Sequence, residues 1–152
     1  MSEKKIAIVD TSCLIALEKI ALIEILCKLY KEVIIPEGVL SEFVELHLDC
    51  IKIEKVNDPL INLLKNQLNL GLGEAEVISL AFRKKRLAII DDMRARNVAK
   101  ELKINLTGTI GVLIQAERRG FIKSAYKKSI ELRKIGFYLP EKLLKQLKNI
   151  SK

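Results

Sequence analysis

A single histidine, His47, and three cysteines without Cys-x-x-Cys spacing leave this chain without the usual ligands of zinc. They also leave no base for a Ser-His-Asp or Cys-His catalytic pair. Tryptophan is absent and aromatic residues make up 5% of the sequence, so base stacking is not advertised. Seven glycines and three prolines beside 49% hydrophobic residues exclude low complexity and general disorder. No long apolar run occurs. The longest, Ile20 to Leu29, is interrupted by Glu24 and Lys28, which excludes a membrane span. Met1 to Lys5 is polar and leads straight into an apolar run, so no signal peptide is expected and the cytoplasm is the expected location. Cys13, Cys27 and Cys50 lie in apolar stretches and read as buried, reduced thiols. A disulfide between two of them is the alternative, because intracellular proteins of hyperthermophiles break the redox rule and the Lys-, Glu- and Ile-rich composition leans that way.

What is present is basic charge and an alternating pattern. Twenty-seven Lys and Arg against nineteen Asp and Glu give +8 over 152 residues, enough to attract a polyanion. Lys5 to Val9 reads as a strand buried on both faces, being apolar without alternation. Helical spacing follows over Thr11 to Leu17 and Ala21 to Leu29. Val33 to Ile35 is a second strand stopped by Pro36, and Glu37 to Leu48 is helical, with Glu42 away from the core face. Ile51 to Val56 alternates imperfectly, as an edge strand does. Asn57-Asp58-Pro59 opens a helix to about Leu70. Gly71-Leu72-Gly73 breaks it before a helix over Glu74 to Arg83. Leu87 to Ile90 and Ile104 to Leu106 are two further strands, each followed by a helix, the last ending at Arg119. This order predicts an α/β fold: a central, mostly parallel sheet of four to five short strands, flanked by helices in three layers. Residues 1–152 read as one domain, with 123–150 a C-terminal helical extension interrupted near Gly136 to Pro140.

Acids recur at telling places in that order. Asp10 and Asp91 directly follow buried strands, Asp92 stands beside Asp91, and Glu42 and Glu74 sit at or near helix starts. Taken singly, each has an ordinary structural explanation. Asp10 and Asp92 suit helix caps, worth about 1 kcal/mol, and Glu74 suits the first turn of a helix. Jointly they fall on the edge where the carboxyl ends of parallel strands meet helix amino ends, which is where open sheets bind ligands. Clustered carboxylates without sulfur or imidazole favour a hard cation, Mg²⁺ or Mn²⁺. On a basic chain this points to metal-dependent cleavage of a nucleic acid.

Ile-Val-Asp10-Thr-Ser, Glu42 in Val-Leu-Ser-Glu-Phe, Gly73-Glu74-Ala-Glu76 and Ile-Ile-Asp91-Asp92 followed by Thr107-Gly108-Thr109 resemble, in order and spacing, the PIN-domain family. The resemblance runs from about Lys5 to Arg119, and the tail beginning Gly120-Phe-Ile-Lys resembles one prokaryotic branch. That family includes VapC-type toxins and RNA-processing nucleases. The resemblance implies that Asp10, Glu42, Glu74 and one of Asp91 or Asp92 bind the metal, with Asp91 preferred because it leaves the strand first. It gives the hydroxyls of Thr11, Ser12, Thr107 and Thr109 a supporting part around metal, water or phosphate. Glu74 departs from the common pattern, which has Asp there, and the doubled Asp is a second departure. Glu76 falls on another face and reads as a salt-bridging or supporting residue. The implied activity is endoribonucleolytic hydrolysis leaving a 5′-phosphate and a 3′-hydroxyl. Implied partners are RNA, a small antitoxin and a second copy of the chain.

Two basic stretches remain. Arg83 to Arg86 reads as a solvated loop on the side away from the acids, whereas Glu117 to Lys134, with seven basic residues against two acidic, is the better candidate for following RNA. Tyr126, Phe137 and Tyr138 read as core or interface residues. The apolar stripe of Leu139, Leu143, Leu144, Leu147 and Ile150 reads as cover for the chain's own core. Competing functions are an RNA-processing nuclease outside any toxin–antitoxin pair and a catalytically inactive binding module. A haloacid-dehalogenase-type phosphatase expects Asp two residues after Asp10, where Ser12 stands, and a nucleotide-binding loop at Gly71 to Gly73 lacks the Gly-Lys-Ser/Thr that should follow.

Overall fold

The structure is a computed structural model that describes residues 4–40 and 49–151. Five strands form its centre: β1 (Ile6–Val9), β2 (Glu32–Pro36), β3 (Ile51–Glu54), β4 (Leu87–Ile89) and β5 (Leu106–Thr107). They lie in the order β3-β2-β1-β4-β5, and every pairing is parallel. Ala7, Ile8, Val9, Val33, Ile35, Ala88 and Ile89 are fully buried, as strands covered on both faces require. The chain moves outward from β1 through β2 to β3, then returns to the other side of β1 for β4 and β5. The reversal lies between β1 and β4, so the residues leaving those strands, Asp10 and Asp91, flank the crevice where parallel sheets place their ligands. The backbone fixes that relation: Asp10 N–H donates to Ile89 O at 3.1 Å.

Nine described helices flank the sheet: α1 (Thr11–Lys19), α2 (Ile25–Leu29), α3 (Glu37–Leu40), α4 (Pro59–Leu68), α5 (Leu72–Lys84), α6 (Met93–Glu101), α7 (Thr109–Arg118), α8 (Ala125–Lys134) and α9 (Glu141–Ile150). None is long and apolar enough to cross a membrane. The expected helix from Ala21 begins only at Ile25. Leu22 N–H closes back on Leu17 O at 2.8 Å and Ala21 takes φ 56°, which ends α1 and turns the chain. The last strand is displaced to Leu106–Thr107 because Ile104 N–H bonds Ala99 O and so finishes α6. The segment expected to continue the helix from residue 41 to 48, Glu42 included, lies outside the described residues.

The expected cap at Asp58 is present. Its carboxylate accepts from Leu60 N–H (3.0 Å), Ser79 Oγ (2.8 Å) and Arg83 Nε (2.7 Å), joining α4 to α5. The Arg83 guanidinium, then the Leu60 N–H, hold this carboxyl well below the usual carboxylate range. The basic run Arg83 to Arg86 is therefore only partly a solvated loop. Arg83 and Lys84 form the last turn of α5 and pair with Asp58 and Glu54, and only then does Lys85, at φ 54°, leave the helix. The reading of three reduced cysteines is corrected as well. Cys27 and Cys50 form a disulfide with Cα atoms 5.5 Å apart, while Cys13 is a buried free thiol. Burial, with the negative charge of Asp91 next, pushes the Cys13 thiol far up, so it stays protonated and packs as a small apolar group.

Candidate active site

Four of the expected acids meet at one cleft. Asp10, Glu74, Asp91 and Asp92 line an open cavity of about 1150 Å³, together with Thr11, Ser12 and Thr107. Asp10 is 6% exposed and caps α1, its Oδ1 accepting from Thr11 N–H at 2.8 Å. Asp91 is anchored from two sides. Thr109 donates through its backbone N–H to Oδ1 (2.8 Å) and through its hydroxyl to Oδ2 (2.6 Å), and Ser12 Oγ reaches Oδ2 at 3.3 Å. Thr109 is fully buried beneath the cleft, so it is a residue that fixes Asp91. Gly108 makes this approach possible. A β-carbon there would stand 2.8 Å from Asp91 Oδ1 and 2.9 Å from Arg96 Nη1.

Asp92 and Glu74 form the other half of the site. Asp92 is exposed, caps α6 by accepting from Ala95 N–H at 2.9 Å, and lines the same cleft as Glu74. Glu74 is the third residue of α5 and reaches back to the N–H of Gly71 at 3.1 Å. Partial burial raises the Glu74 carboxyl above its ordinary value; the Gly71 N–H opposes this and the neighbouring Asp92 charge adds to it. Neighbouring carboxylates of this kind resist being ionised together, and a bound cation relieves that repulsion. Among the described residues no three carboxylate, histidine or thiol groups converge as a finished metal cage. Glu42, the fifth expected acid, lies outside the described residues.

Glu76 faces away from the cleft, against Gly38 of α3, and is buried, with Oε1 unpartnered among the described residues. It makes no salt bridge among them, which corrects that part of its expected role; burial raises its carboxyl. Thr11 Oγ1 is likewise buried without a described partner and lines the cleft.

Two features of the cleft escape sequence reading. Arg96 is the sole Lys or Arg among the described lining residues, its Nη1 donating to Ile90 O at 2.7 Å. The signal for it was present, since Arg96 follows Asp92 by four residues on one helix and so lies one turn along the same face. The second feature is the wall formed by Phe137, Tyr138, Leu139, Pro140 and Leu143. Tyr138 is 83% exposed, which removes the core and leaves the interface alternative of its expected place; Phe137 is half-buried against the core.

A five-stranded parallel sheet flanked by helices, with four acids lining the cleft at its central crevice, defines this as an α/β protein. The family model described as DUF3368: PIN domain matches residues 6–152, and the chain belongs to that PIN-domain family. The fold is similar to that of a PilT N-terminus domain protein from the hyperthermophilic archaeon Sulfolobus solfataricus P2. That similarity has a TM-score of 0.50 at 21% identity and covers 73% of this chain and 92% of the other. No curated protein matches the chain. PIN domains are generally nucleases acting on nucleic acids, and they usually use divalent metals.

Proposed function

We propose that this protein is a Mg²⁺- or Mn²⁺-dependent endoribonuclease whose reaction takes place in the cleft between Asp10, Glu74, Asp91 and Asp92. The observation that carries the reading is that Asp10, Glu74, Asp91 and Asp92, far apart in the chain, line one cleft at the central crevice of the sheet. These groups offer oxygen only, which fits a hard cation and excludes the sulfur and nitrogen preferences of zinc or copper. In this reading Asp10, Glu42, Glu74 and one of Asp91 or Asp92 would hold the ion, drawing in around it, since no three described groups form a finished cage on their own. Bound there, it would polarise water toward a phosphodiester and leave a 5′-phosphate and a 3′-hydroxyl.

The chain's own residues supply the rest. Thr109 and Ser12 hold the Asp91 carboxylate in one orientation, and Thr11 and Thr107 line the same cleft. Arg96 offers guanidinium N–H groups to a phosphate from the same cleft, a pairing whose planar fork suits that oxyanion. Residues 123–150 belong to the same domain in this reading, because their loop and Leu143 complete the cleft. The biological setting we favour is the toxin of a toxin–antitoxin pair acting in the cytoplasm, as a homodimer restrained by a small antitoxin. A processing nuclease without an antitoxin has the same chemistry, and a gene for a small protein beside this one distinguishes the two.

The test compares the parent with Asp10→Asn on a panel of structured and single-stranded RNAs, with Mg²⁺, Mn²⁺ or EDTA. The substitution keeps the shape of the cap and removes a charge. Cleavage should require metal and fall by more than the roughly 10–100-fold typical of changes to groups behind a metal ligand. Equal rates for variant and parent would remove Asp10 from the mechanism. A folded, metal-supplemented parent that cleaves nothing would favour the inactive binding module.

A further inference from the structure

The chain has few aromatic residues, three Tyr and four Phe without Trp, yet two of them adjoin in the wall of the acidic cleft. Tyr138 leaves 83% of its surface in solvent. A single exposed apolar side chain is unremarkable. Tyr138 differs in its setting, because Phe137, Leu139, Pro140 and Leu143 continue the same wall into the cavity lined by the carboxylates.

The loop that displays it is pinned at both ends. Phe137 N–H bonds Leu132 O at 3.0 Å and Gly136 N–H bonds Arg133 O at 3.1 Å, closing α8 with Gly136 at φ 101°. Arg133 then crosses to Glu141 in the first turn of α9, 2.7 Å away, and Pro140 caps that helix. The ring is thus presented on a short, fixed span, so little ordering cost remains when a flat ligand packs on it. Inside the same cleft Arg96 supplies the described cation, and the acids supply the reacting end.

We propose, resting on the nuclease reading, that Tyr138 is a stacking platform for an unpaired base of single-stranded RNA, seated beside the phosphodiester that reaches the acids. Three chemistries adjoin here: a π-face for a base, a guanidinium for a phosphate, and carboxylates for a metal-assisted reaction. A base within a duplex has both faces covered by its neighbours, so the platform serves single strands, loops and ends. An apolar protein segment would use the wall but has no use for Arg96 and the acids beside it. On that ground the nucleotide is the occupant. Stacking tolerates every base, which makes Tyr138 a determinant of strand state and only weakly of sequence.

The test measures binding without cleavage. Short single-stranded RNAs carrying 2-aminopurine, and a blunt RNA duplex of equal length, are titrated in Ca²⁺ and in EDTA against the parent, Tyr138→Phe and Tyr138→Leu. Anisotropy reports affinity, and 2-aminopurine emission reports stacking. Tyr138→Leu should weaken single-strand binding about tenfold and abolish the quenching seen with the parent. Tyr138→Phe should restore both to within about twofold, and duplex affinity should not change. Equal affinity and quenching for parent and Leu variant would overturn the proposal, as would failure of the parent to bind single strands. Unchanged RNA binding together with a lower molecular mass for Tyr138→Leu in sedimentation would assign the wall to contact between copies, also overturning it. A parent that stacks single strands but never cuts them contradicts the nuclease reading and keeps the platform.

Discussion

A β-carbon at position 108 has no room, and the reason is the site. Gly108 has φ −132°, an ordinary extended value, so its freedom from a side chain serves space and not backbone conformation. Gly108→Ala would press on Asp91 Oδ1 and Arg96 Nη1 together. Overpacking of this kind typically costs about 1–3 kcal/mol. Asp91 is tied to buried Thr109 and moves little, so Arg96 should give way and lose its bond to Ile90 O. The expected outcome is a lower urea midpoint and a larger proportional loss of RNA cleavage and binding; parental cleavage in a destabilised variant would mean that the Asp91–Arg96 arrangement does not serve the reaction. At this scale the sequence was readable where an acid directly follows an all-apolar strand, as at Asp10 and Asp91. It offers Thr109 as a supporting hydroxyl but not its partner, which shows only when the fold brings Asp91 to it, 18 residues away in the chain.

Elements are joined here by a few long-range ties that local pattern does not reveal. The Cys27–Cys50 disulfide fastens α2 to the turn entering edge strand β3, which has only β2 as a described partner. Both cysteines sit among apolar residues, and that composition is the same for a buried thiol and for half of a disulfide. Only the Cα–Cα separation of 5.5 Å decides between them. Closing the 23-residue separation should stabilise the fold by about 3 kcal/mol through the unfolded state. Reduction, or Cys50→Ser, should then lower Tm by about 10 °C, measured by scanning calorimetry with and without a non-thiol reductant. A Tm indifferent to reductant would place the two cysteines in the thiol form in solution. The Asp58 tie was half legible: Asp-Pro announced the cap, whereas its pairing with Arg83 of α5 needed the packing of two helices. Arg83 and Lys84 read as solvent-facing because a charged run between two elements is ordinarily a solvated loop.

Across the whole molecule, the alternation of apolar strands and amphipathic helices specified a parallel α/β sheet, and the right-handed crossover rule then left few strand orders to consider. The tail is where sequence pattern carried less. Its stripe covers the chain's own body, since Leu139, Leu144 and Leu147 are buried while Ile150 is 66% exposed. The tie at its end is polar: Glu117 of α7 accepts from Ala125 N–H at 2.8 Å and from the Ser151 hydroxyl, and Ser151 Oγ accepts from Tyr126 N–H at 3.0 Å. No periodicity marks such a latch, because it joins residues 34 positions apart through one carboxylate. If residues 123–150 are integral to the domain, ending the chain after Ile135 removes two buried leucines of α9, the latch and the cleft wall at once. Each such leucine, cut back to alanine, would cost about 2–5 kcal/mol. A domain is stable by only about 5–15 kcal/mol, so the shortened chain should unfold at a much lower urea concentration or lose its cooperative transition. A shortened chain that keeps the parental midpoint would show that α9 is a separable appendage. RNA binding then separates the two roles of the segment: a stable shortened chain that no longer discriminates single strands from duplex would leave α9 dispensable for folding while the loop before it, with Tyr138, still serves the cleft.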